Sequence, residues 1–464
     1  MAFPFAAALR SAFRRDAPQP TGRRSFDAAG GGRQGRAMQT FGPINPEVGA
    51  ALHLVRARSR YLAANDPFAS NGVANWCGAL IGPGIRPAPK AETQDARALA
   101  GGAFEAWADD ADHAGRTDWW GLQRDIARHI VVDGEALVLL RDGPNGLRLQ
   151  VLPPELLDES KSATLSDGRE IVQGVEFDSE GRRVAYWVLP QKPASIYAEY
   201  APAVRVDAAD VLHVFQPLAA GQVRGVPWLA PAVLTASELG QLMTALLVGT
   251  KVSAMFAGFL TDLNQTGGFP FDGDQTGSIM DSGLEPGTLK VLPAGMDVKF
   301  AAPDAAKEAA IVVRTNLLAY AAALGLPEHM LSGDLTNANY SSLRAGLLPF
   351  RARVEQVQYG TLAPQLLRPV WRRWIATEVI AGRLDVSPEL RAEWIMPRHA
   401  QVDAQKEMAA VKEALALGLM SRTQAIHEMG WNPDDLDSEI ATDRAREAAL
   451  GLNFTGQGGD DAVG

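Results

Sequence analysis

Two long helical patterns with a glycine- and proline-rich stretch between them limit most strongly what this chain can fold into. The first pattern covers residues 226–252 and the second covers residues 304–325. In the first, leucines recur at helical spacing and are predicted to share one side: Leu234, Leu239, Leu242, Leu246 and Leu247. Residues 261–295 hold seven glycines and three prolines, which end regular elements. The sequence therefore predicts two helices flanking a small β-rich excursion, with "TLKVL" and "DVKFA" as its strands.

Capping signals predict three helices ahead of that pair. Asn45 is predicted to cap the first, with Pro46 at the first helical position, where a missing N–H is harmless. Asp66 and Pro67 are predicted to start the second, and "GPG" at 82–84 to end it. The third, "DWWGLQRDIARHIVVDG", leads into a hairpin of "EALVLL" and "LRLQVL". A further hairpin is predicted from "EIVQGVEF" and "RVAYWVL", joined around "DSEG".

A third long helical pattern follows the polar segment "SGDLTNANYSSLRAG". Its apolar residues recur at steps of four and three: Leu343, Leu347, Phe350, Val354 and Val357. Pro349, Pro364 and Pro369 are expected to bend or restart this helix, because each removes a backbone donor. Two shorter helices follow, and Ser421 and Gln424 stand at capping-box spacing in the second. Helices segregated from antiparallel strands predict an α+β fold.

Charge is distributed unevenly along the chain. The 464 residues carry 44 basic and 54 acidic side chains, a net charge of −10, which argues against general affinity for nucleic-acid phosphates. Residues 1–37 nevertheless carry seven arginines and two aspartates, whereas residues 432–464 carry eight acids and two arginines. We interpret the N-terminus as a flexible basic arm, although an organelle transit peptide has the same arginine-rich, acid-poor pattern.

The cysteine count and the hydropathy pattern restrict the cellular environment in which the protein can fold. Cys77 is the only cysteine, so a disulfide framework within the chain is excluded and a reducing compartment is expected. Its position beside Trp76 on a predicted helix indicates a core residue. The most apolar runs, residues 239–250 and 309–327, are short or interrupted, so no membrane-spanning segment is expected.

The sequence lacks the motifs whose spacing carries catalytic chemistry. No phosphate-binding G-x-x-x-x-G-K-[ST], G-x-S-x-G or H-E-x-x-H is present. The acidic clusters at 110–112, 272–274 and 434–437 lack the glycine and distal glutamate of a calcium loop. His213, in the apolar "DVLHVF", is predicted to be a hydrogen-bonded structural histidine. We therefore expect no enzyme activity, no metal and no cofactor.

Taken in order, seven segments of the chain resemble the lambda-type family of phage portal proteins. The likeness covers residues 44–447, and departs from the family pattern in a short C-terminus and at Ala404, where a proline commonly follows the aspartate. The segments are "RARSRYLAANDPFASNGVANWCGALIGPGIRP", "LQVLPPELLD", "IVQGVEFDSEGRRVAYWVL", "VLHVFQPLAAGQVRGVPWLAPAV", "EPGTLKVLPAGMDVKF", "LGLPEHMLSGDLTNANYSSLRAGLL" and "VDAQKEMAAVKEALALGLMSRTQAIHEMG".

The resemblance implies a structural ring, typically of twelve subunits, at one vertex of the virion capsid. Double-stranded DNA would enter and leave through its channel without sequence-specific contacts. The implied partners are the large terminase subunit, head-completion or connector proteins, and the major capsid and scaffold proteins. Assembly would take place in the cytoplasm of the bacterial host.

The same resemblance divides the chain into the parts of a portal fold. They are a basic arm (1–43), a wing (44–225), a first stem helix (226–252), a β-rich clip (253–303), a second stem helix (304–326), a channel loop (327–341), a long kinked helix (342–381), a helical crown (382–447) and a flexible tail (448–464).

The candidate functional residues lie in and after the channel loop. Small neutral groups there can touch a moving phosphate backbone without a fixed ion pair, and the candidates are Thr336, Asn337, Asn339, Tyr340 and Ser341. An ordinary polar turn capped by Ser341 or Ser342 is the alternative. Four charged residues further along could contact DNA or a neighbouring subunit: Arg344, Arg351, Arg353 and Glu355.

Two other functions compete with the portal interpretation. One is a different structural head-tail component, although connectors are generally much shorter. The other is an enzyme of unrecognised fold that uses dispersed carboxylates.

Overall fold

The computed structural model describes residues 40–144, 146–190, 201–255, 259–260, 290–291, 304–336, 339–398 and 403–452. Most of the predicted basic arm, most of the predicted clip with its "DVKFA" strand, Asn337, and residues 453–464 of the predicted tail lie outside these ranges. The helices are α1 (Ile44–Asn65), α2 (Pro67–Ile81), α3 (Gln94–Asp109), α4 (Trp119–Asp133), α5 (Val233–Met255), α6 (Asp304–Leu324), α7 (Glu328–Ser332), α8 (Tyr340–Val357), α9 (Arg368–Ile380), α10 (Ala404–Ala416), α11 (Arg422–Glu428) and α12 (Pro433–Leu450).

Antiparallel pairing joins most strands into small sheets. The strands are β1 (Arg86–Pro89), β2 (Glu135–Gly143), β3 (Gly146–Leu152), β4 (Ala163–Thr164), β5 (Glu170–Val172), β6 (Val175–Phe177), β7 (Arg183–Val188), β8 (Val204–Asp207), β9 (Val211–Phe215), β10 (Phe259–Leu260), β11 (Lys290–Val291) and β12 (Ala392–Ile395). One sheet has the order β3-β2-β9, and β4 to β8 form a five-stranded meander. Antiparallel β1 and β12 join distant parts of the chain, and β10 and β11 pair in parallel. Helix and sheet are thus both present, as the predicted α+β class requires.

Of the caps predicted for the first two helices, one is confirmed and one is wrong. The Asp66 side chain accepts from the Ala69 N–H at 2.7 Å, with Pro67 behind it, and α2 ends at Gly82, whose φ is 51°. Asn45 was predicted wrongly as a cap. It lies in the first turn of α1, and its side-chain amide instead bridges the Gly221 carbonyl and the Val223 N–H, each at 2.9 Å.

The predicted strand "EIVQGVEF" is wrong, because the chain reverses direction in its middle. Gln173 and Gly174 have φ values of 49° and 84°, so β5 turns back and pairs with β6. Two successive residues in the left-handed region are typical of a tight hairpin turn whose twist matches that of its strands. The Gln173 side chain donates to the Asn45 carbonyl at 2.7 Å and fixes this turn against α1.

The main hydrophobic core lies between α2, α4 and the helical segment that begins at Tyr340. Aromatic side chains fill its centre, with ring centroids 5.0–6.2 Å apart among four of them: Phe104, Trp107, Trp371 and Trp374. Cys77 is buried in the same core, which confirms its predicted place.

Helical conformation continues from Tyr340 to Ile380, although its type changes in the middle. A π-helix at Gln358–Leu367 separates α8 from α9, and Pro364 lies inside it. Pro349 lies within α8, and Pro369 lies in the first turn of α9. The prolines are accommodated by a change of turn type rather than by an end of the helix. The π-helix contacts two other elements, since Gln358 donates to the Leu80 carbonyl at 2.8 Å and Gln365 accepts from the Phe215 N–H at 2.9 Å.

The leucines of α5 do not form the shared buried side that their spacing predicted. Leu239 is buried, whereas Leu234 and Leu247 are 73% and 54% exposed. The stretch Ala230–Lys251 is also long and apolar enough, by length and composition alone, to cross a membrane, so the expectation that no segment reaches that length was wrong. Only 17% of its most apolar window is buried within the chain. Much of the apolar surface of α5 is therefore uncovered in a single copy.

A buried cluster of charges holds α1, β2, β9 and the segment after β9 together. Glu135 is fully buried on β2, and its carboxylate accepts from Arg56 at 2.9 Å and from the Gly225 N–H at 2.7 Å. The Arg224 Nε lies 3.0 Å from one Glu135 oxygen and 3.1 Å from the other. His213 Nε2 lies 2.9 Å from Glu135, which agrees with the structural role predicted for that histidine.

The partners of Glu135 decide its protonation. Burial alone would raise the pKa of the Glu135 carboxyl, but the Arg224 charge and the His213 contact outweigh burial, and the pKa is held well below its usual range. Burial lowers the pKa of His213. An ionised Glu135 can only accept, so the neutral His213 ring carries its proton on Nε2.

Candidate functional site

The candidate channel loop joins α7 to α8 and is held firmly at its start. The predicted loop 327–341 is shorter in the structure, because α7 is helical over Glu328–Ser332. Two amides on α2 secure the end of α7: Asn71 donates to the Leu331 carbonyl at 2.9 Å, and Asn75 donates to the Met330 carbonyl at 2.6 Å. The residues that follow from Gly333 to Thr336 are exposed. The loop therefore begins from a fixed point on the main core.

The far end of the loop is closed by a reciprocal cap at the start of α8. The capping residue lies two or three positions earlier than the predicted Ser341 or Ser342. The Asn339 side chain accepts from the Ser342 N–H at 2.8 Å, and the Asn339 N–H donates to the Ser342 hydroxyl at 3.0 Å. Asn339, and not Ser341 or Ser342, is thus the N-cap. Tyr340 and Ser341 lie in the first turn of α8, so their predicted place in the loop was wrong. Thr336 and Asn339 remain outside the helices.

Removing this cap is expected to loosen the first turn of α8. Asn339→Ala leaves the Ser342 N–H without its acceptor and should cost about 1 kcal/mol locally. Hydrogen exchange of the amides at 341–343 should become correspondingly faster. Asn339→Asp keeps the acceptor and is the matched control, so equal exchange in the two variants would contradict the capping role.

Asp334 is the one charged residue in residues 333–339, and it was not among the predicted site residues. Its carboxylate accepts from the Thr336 N–H at 2.8 Å and also contacts the Thr336 hydroxyl. These two hydrogen bonds lower the pKa of the Asp334 carboxyl, which keeps it ionised at neutral pH. The x-D-x-T spacing of such a turn was visible in the sequence. The exposed loop therefore presents an acid, the apolar side chain of Leu335 and neutral polar groups.

The four charged candidates of α8 separate into different environments. Arg353 donates to the Gly325 carbonyl at 2.7 Å, so it holds the end of α6 within its own chain. Arg351 and Glu355 line a cleft of about 690 Å³ between α8 and the later segment that includes β12 and α11. Arg344 is exposed one turn after the cap. The structure thus brings Arg351 and Glu355 to one cleft and leaves Arg344 and Arg353 outside it.

Within the described ranges, no three carboxylate, imidazole or thiol side chains come together at a distance that could hold a metal ion.

Comparison with known proteins gives one family and several relatives. The family model described as "Phage portal protein, lambda family" matches residues 30–358. The chain is 26% identical over 470 residues to a protein described as a probable portal protein from Halomonas phage phiHAP-1. The aligned region covers 94% of this chain and 89% of that relative.

Solved structures with a similar chain come from gene transfer agent (GTA) particles. The neck of the native particle, computed with C12 symmetry, is 16% identical with a TM-score of 0.39 and covers 84% of this chain and 95% of that one. The neck of the empty particle, computed with C6 symmetry, is 16% identical with a TM-score of 0.37 and covers 86% and 96%.

Proposed function

The chain belongs to the lambda family of phage portal proteins, and we propose that its copies close into a ring around a channel for double-stranded DNA. Proteins of this family are structural components of the virion at the capsid vertex, as the sequence resemblance predicted. The observation that carries the proposal is the family match over residues 30–358. A ring closed by rotation joins different faces of one chain, so apolar surface can be covered by a neighbouring copy.

Within this ring, the parts of the chain take the roles that the resemblance assigns to them. Residues 44–225 form the wing, and α5 and α6 form the stem. The segment between them forms the clip, to which the large terminase subunit docks during packaging and connector proteins dock afterwards. Residues 382–447 form the crown inside the head, and capsid and scaffold proteins surround the vertex during assembly in the host cytoplasm.

The loop between α7 and α8 contacts the passing DNA weakly. Each phosphate that a protein neutralises adds salt-dependent affinity through counterion release, so a basic loop would retain the duplex. Asp334 and the neutral Thr336 and Asn339 contribute no such charge. A loop of this composition lets the duplex slide and gives no sequence readout.

Light scattering coupled to size-exclusion chromatography, followed by negative-stain microscopy, tests the proposed ring. The expected mass is many times 49.6 kDa, and the particles should be annular with a hole wide enough for a double helix. A stable monomer at high concentration, or a particle without such a hole, would refute the ring. A narrow hole would instead favour another structural head-tail component.

A further inference from the structure

Helix α5 carries a neutral stripe on the side that faces away from the core. Buried Leu239 and half-buried Leu242 and Leu246 mark its inner side. Four exposed residues recur half a turn away, at the spacing of one helix face. We call them the α5 stripe: Ser237, Gln241, Thr244 and Val248.

Helix α6 has a stripe of the same spacing. Val313, Leu317, Tyr320 and Leu324 pack inward at steps of four, three and four. Four exposed residues lie on the opposite side of the helix, and none is charged. We call them the α6 stripe: Ile311, Thr315, Leu318 and Ala322. Ile311 and Leu318 are 66% and 46% exposed.

The two stripes face opposite sides of one helix pair. Helices α5 and α6 contact each other, and their buried side chains belong to the same core. The stripe on the opposite side of each helix therefore points away from the other helix. The α5 stripe lines a largely apolar groove of about 810 Å³, whose other wall includes Tyr61 and Leu62 of α1. Open space lies beside Gly240 and Gly249 in this groove, so a second helix can approach the α5 backbone closely.

We propose that the α6 stripe of one copy packs into the groove between α1 and α5 of the next copy. Each copy then offers a ridge on one side and a groove on the other, which is the arrangement that a head-to-tail contact repeated by rotation requires. This assignment rests on the proposed ring and adds to it the two faces that meet. Rotation about the ring axis carries each residue around the ring without moving it along the axis. The middle of the α5 stripe in one copy should therefore meet the middle of the α6 stripe in the next.

The chemistry of the stripes favours a second copy over a lipid bilayer as the occupant. Ser237, Gln241 and Thr244 would face hydrocarbon, where polar groups are costly, if α5 lay in a membrane. Small and hydroxyl-bearing residues suit close contact between helices, and Ile311 and Leu318 supply the apolar area for such a contact. The residues of both stripes are neutral. The one carboxylate in the groove lining, Asp66, already accepts from the Ala69 N–H and the Tyr320 hydroxyl, so neither face brings an unpaired charge into the contact.

Cysteine cross-linking in the full-length assembled protein tests which faces meet. Thr244→Cys is combined in turn with Ile311→Cys, Thr315→Cys, Leu318→Cys or Ala322→Cys, and the rings are mildly oxidised. The native Cys77 does not compete, since it is buried and burial raises the pKa of its thiol to about 11. One or two adjacent α6 positions should link most of the chains into a ladder of covalent multimers on a non-reducing gel.

Matched controls separate this assignment from the ring itself. Each single variant, and Thr244→Cys with Thr442→Cys on exposed α12, should give no ladder. Rings by light scattering that give no ladder with any of the four pairs would overturn the assignment and leave the ring intact. Absence of rings in the unmodified protein would overturn both. Flotation of the protein with phosphatidylcholine–phosphatidylglycerol vesicles would overturn the assignment in favour of a membrane contact.

Discussion

Replacing Glu135 with alanine is expected to destabilise the fold by about 3–5 kcal/mol, because the change removes the one fully buried carboxylate that two buried arginines share and leaves them only the partly exposed Glu159. Arg56 and Arg224 are almost completely buried, and both hydrogen-bond to Glu135. The Gly225 N–H and His213 lose the same acceptor. Thermal unfolding at a fixed protein concentration should show a much lower midpoint, or the variant should fail to accumulate in soluble form.

An exposed ion pair provides the control for this prediction. Glu180 pairs with Arg182 at 2.8 Å, with both side chains largely exposed, so Glu180→Ala should change stability by less than about 1 kcal/mol. Glu135→Gln keeps the shape of the side chain and removes the charge, and should fall between the two. If Glu135→Ala unfolds as late as Glu180→Ala, the buried cluster does not stabilise the fold.

Two lysines in the channel loop are expected to turn weak DNA contact into retention. Asp334→Lys with Thr336→Lys removes the acid and adds two exposed cations per copy. Each added phosphate contact should steepen the fall of log affinity with log salt by about 0.9. Purified rings should therefore retain duplex DNA to a higher salt concentration, and the variant phage should package less of its genome.

A control variant with the same change in charge, placed far from the loop, distinguishes an effect of the loop on DNA in the channel from an effect of added positive charge in general. Ser179→Lys with Glu180→Lys places the same added charge on an exposed turn of the five-stranded sheet. This pair should leave packaging close to normal, while Asp334→Asn should have an intermediate effect. Equal packaging by the two double-lysine variants would contradict the placement of the loop in the channel.

Predictions from local signals were correct where the signal and its partner lie close in sequence. Asp66 accepts from the N–H three residues later, and the "EALVLL" and "LRLQVL" hairpin pairs neighbouring segments. The turn at Gln173 and Gly174 was missed because apolar residues flank it on both sides, as they would in one continuous strand. Asn45 failed as a cap because its amide has partners near residue 222, which no local rule detects.

The candidate loop was located from the sequence, but its limits and its charge were not. Helix α7 shortens it at the start, and the Asn339 cap ends it before Tyr340. Arg353 was a candidate for DNA or subunit contact, and within its own chain its guanidinium contacts the end of α6. Such a contact depends on how two helices pack, which the spacing within either helix does not reveal.

The sequence by itself determined the family, the α+β class, the helical segments and the place of the polar loop, because periodicity, capping and turn chemistry act over a few residues. Only the tertiary structure decided that Glu135 joins Arg56, His213 and Arg224, which lie 79, 78 and 89 residues away. It also decided that the stripes of α5 and α6 face opposite sides of one pair. A buried charge is stable only where partners from distant segments converge, and an uncovered face is defined only once the rest of the chain has packed.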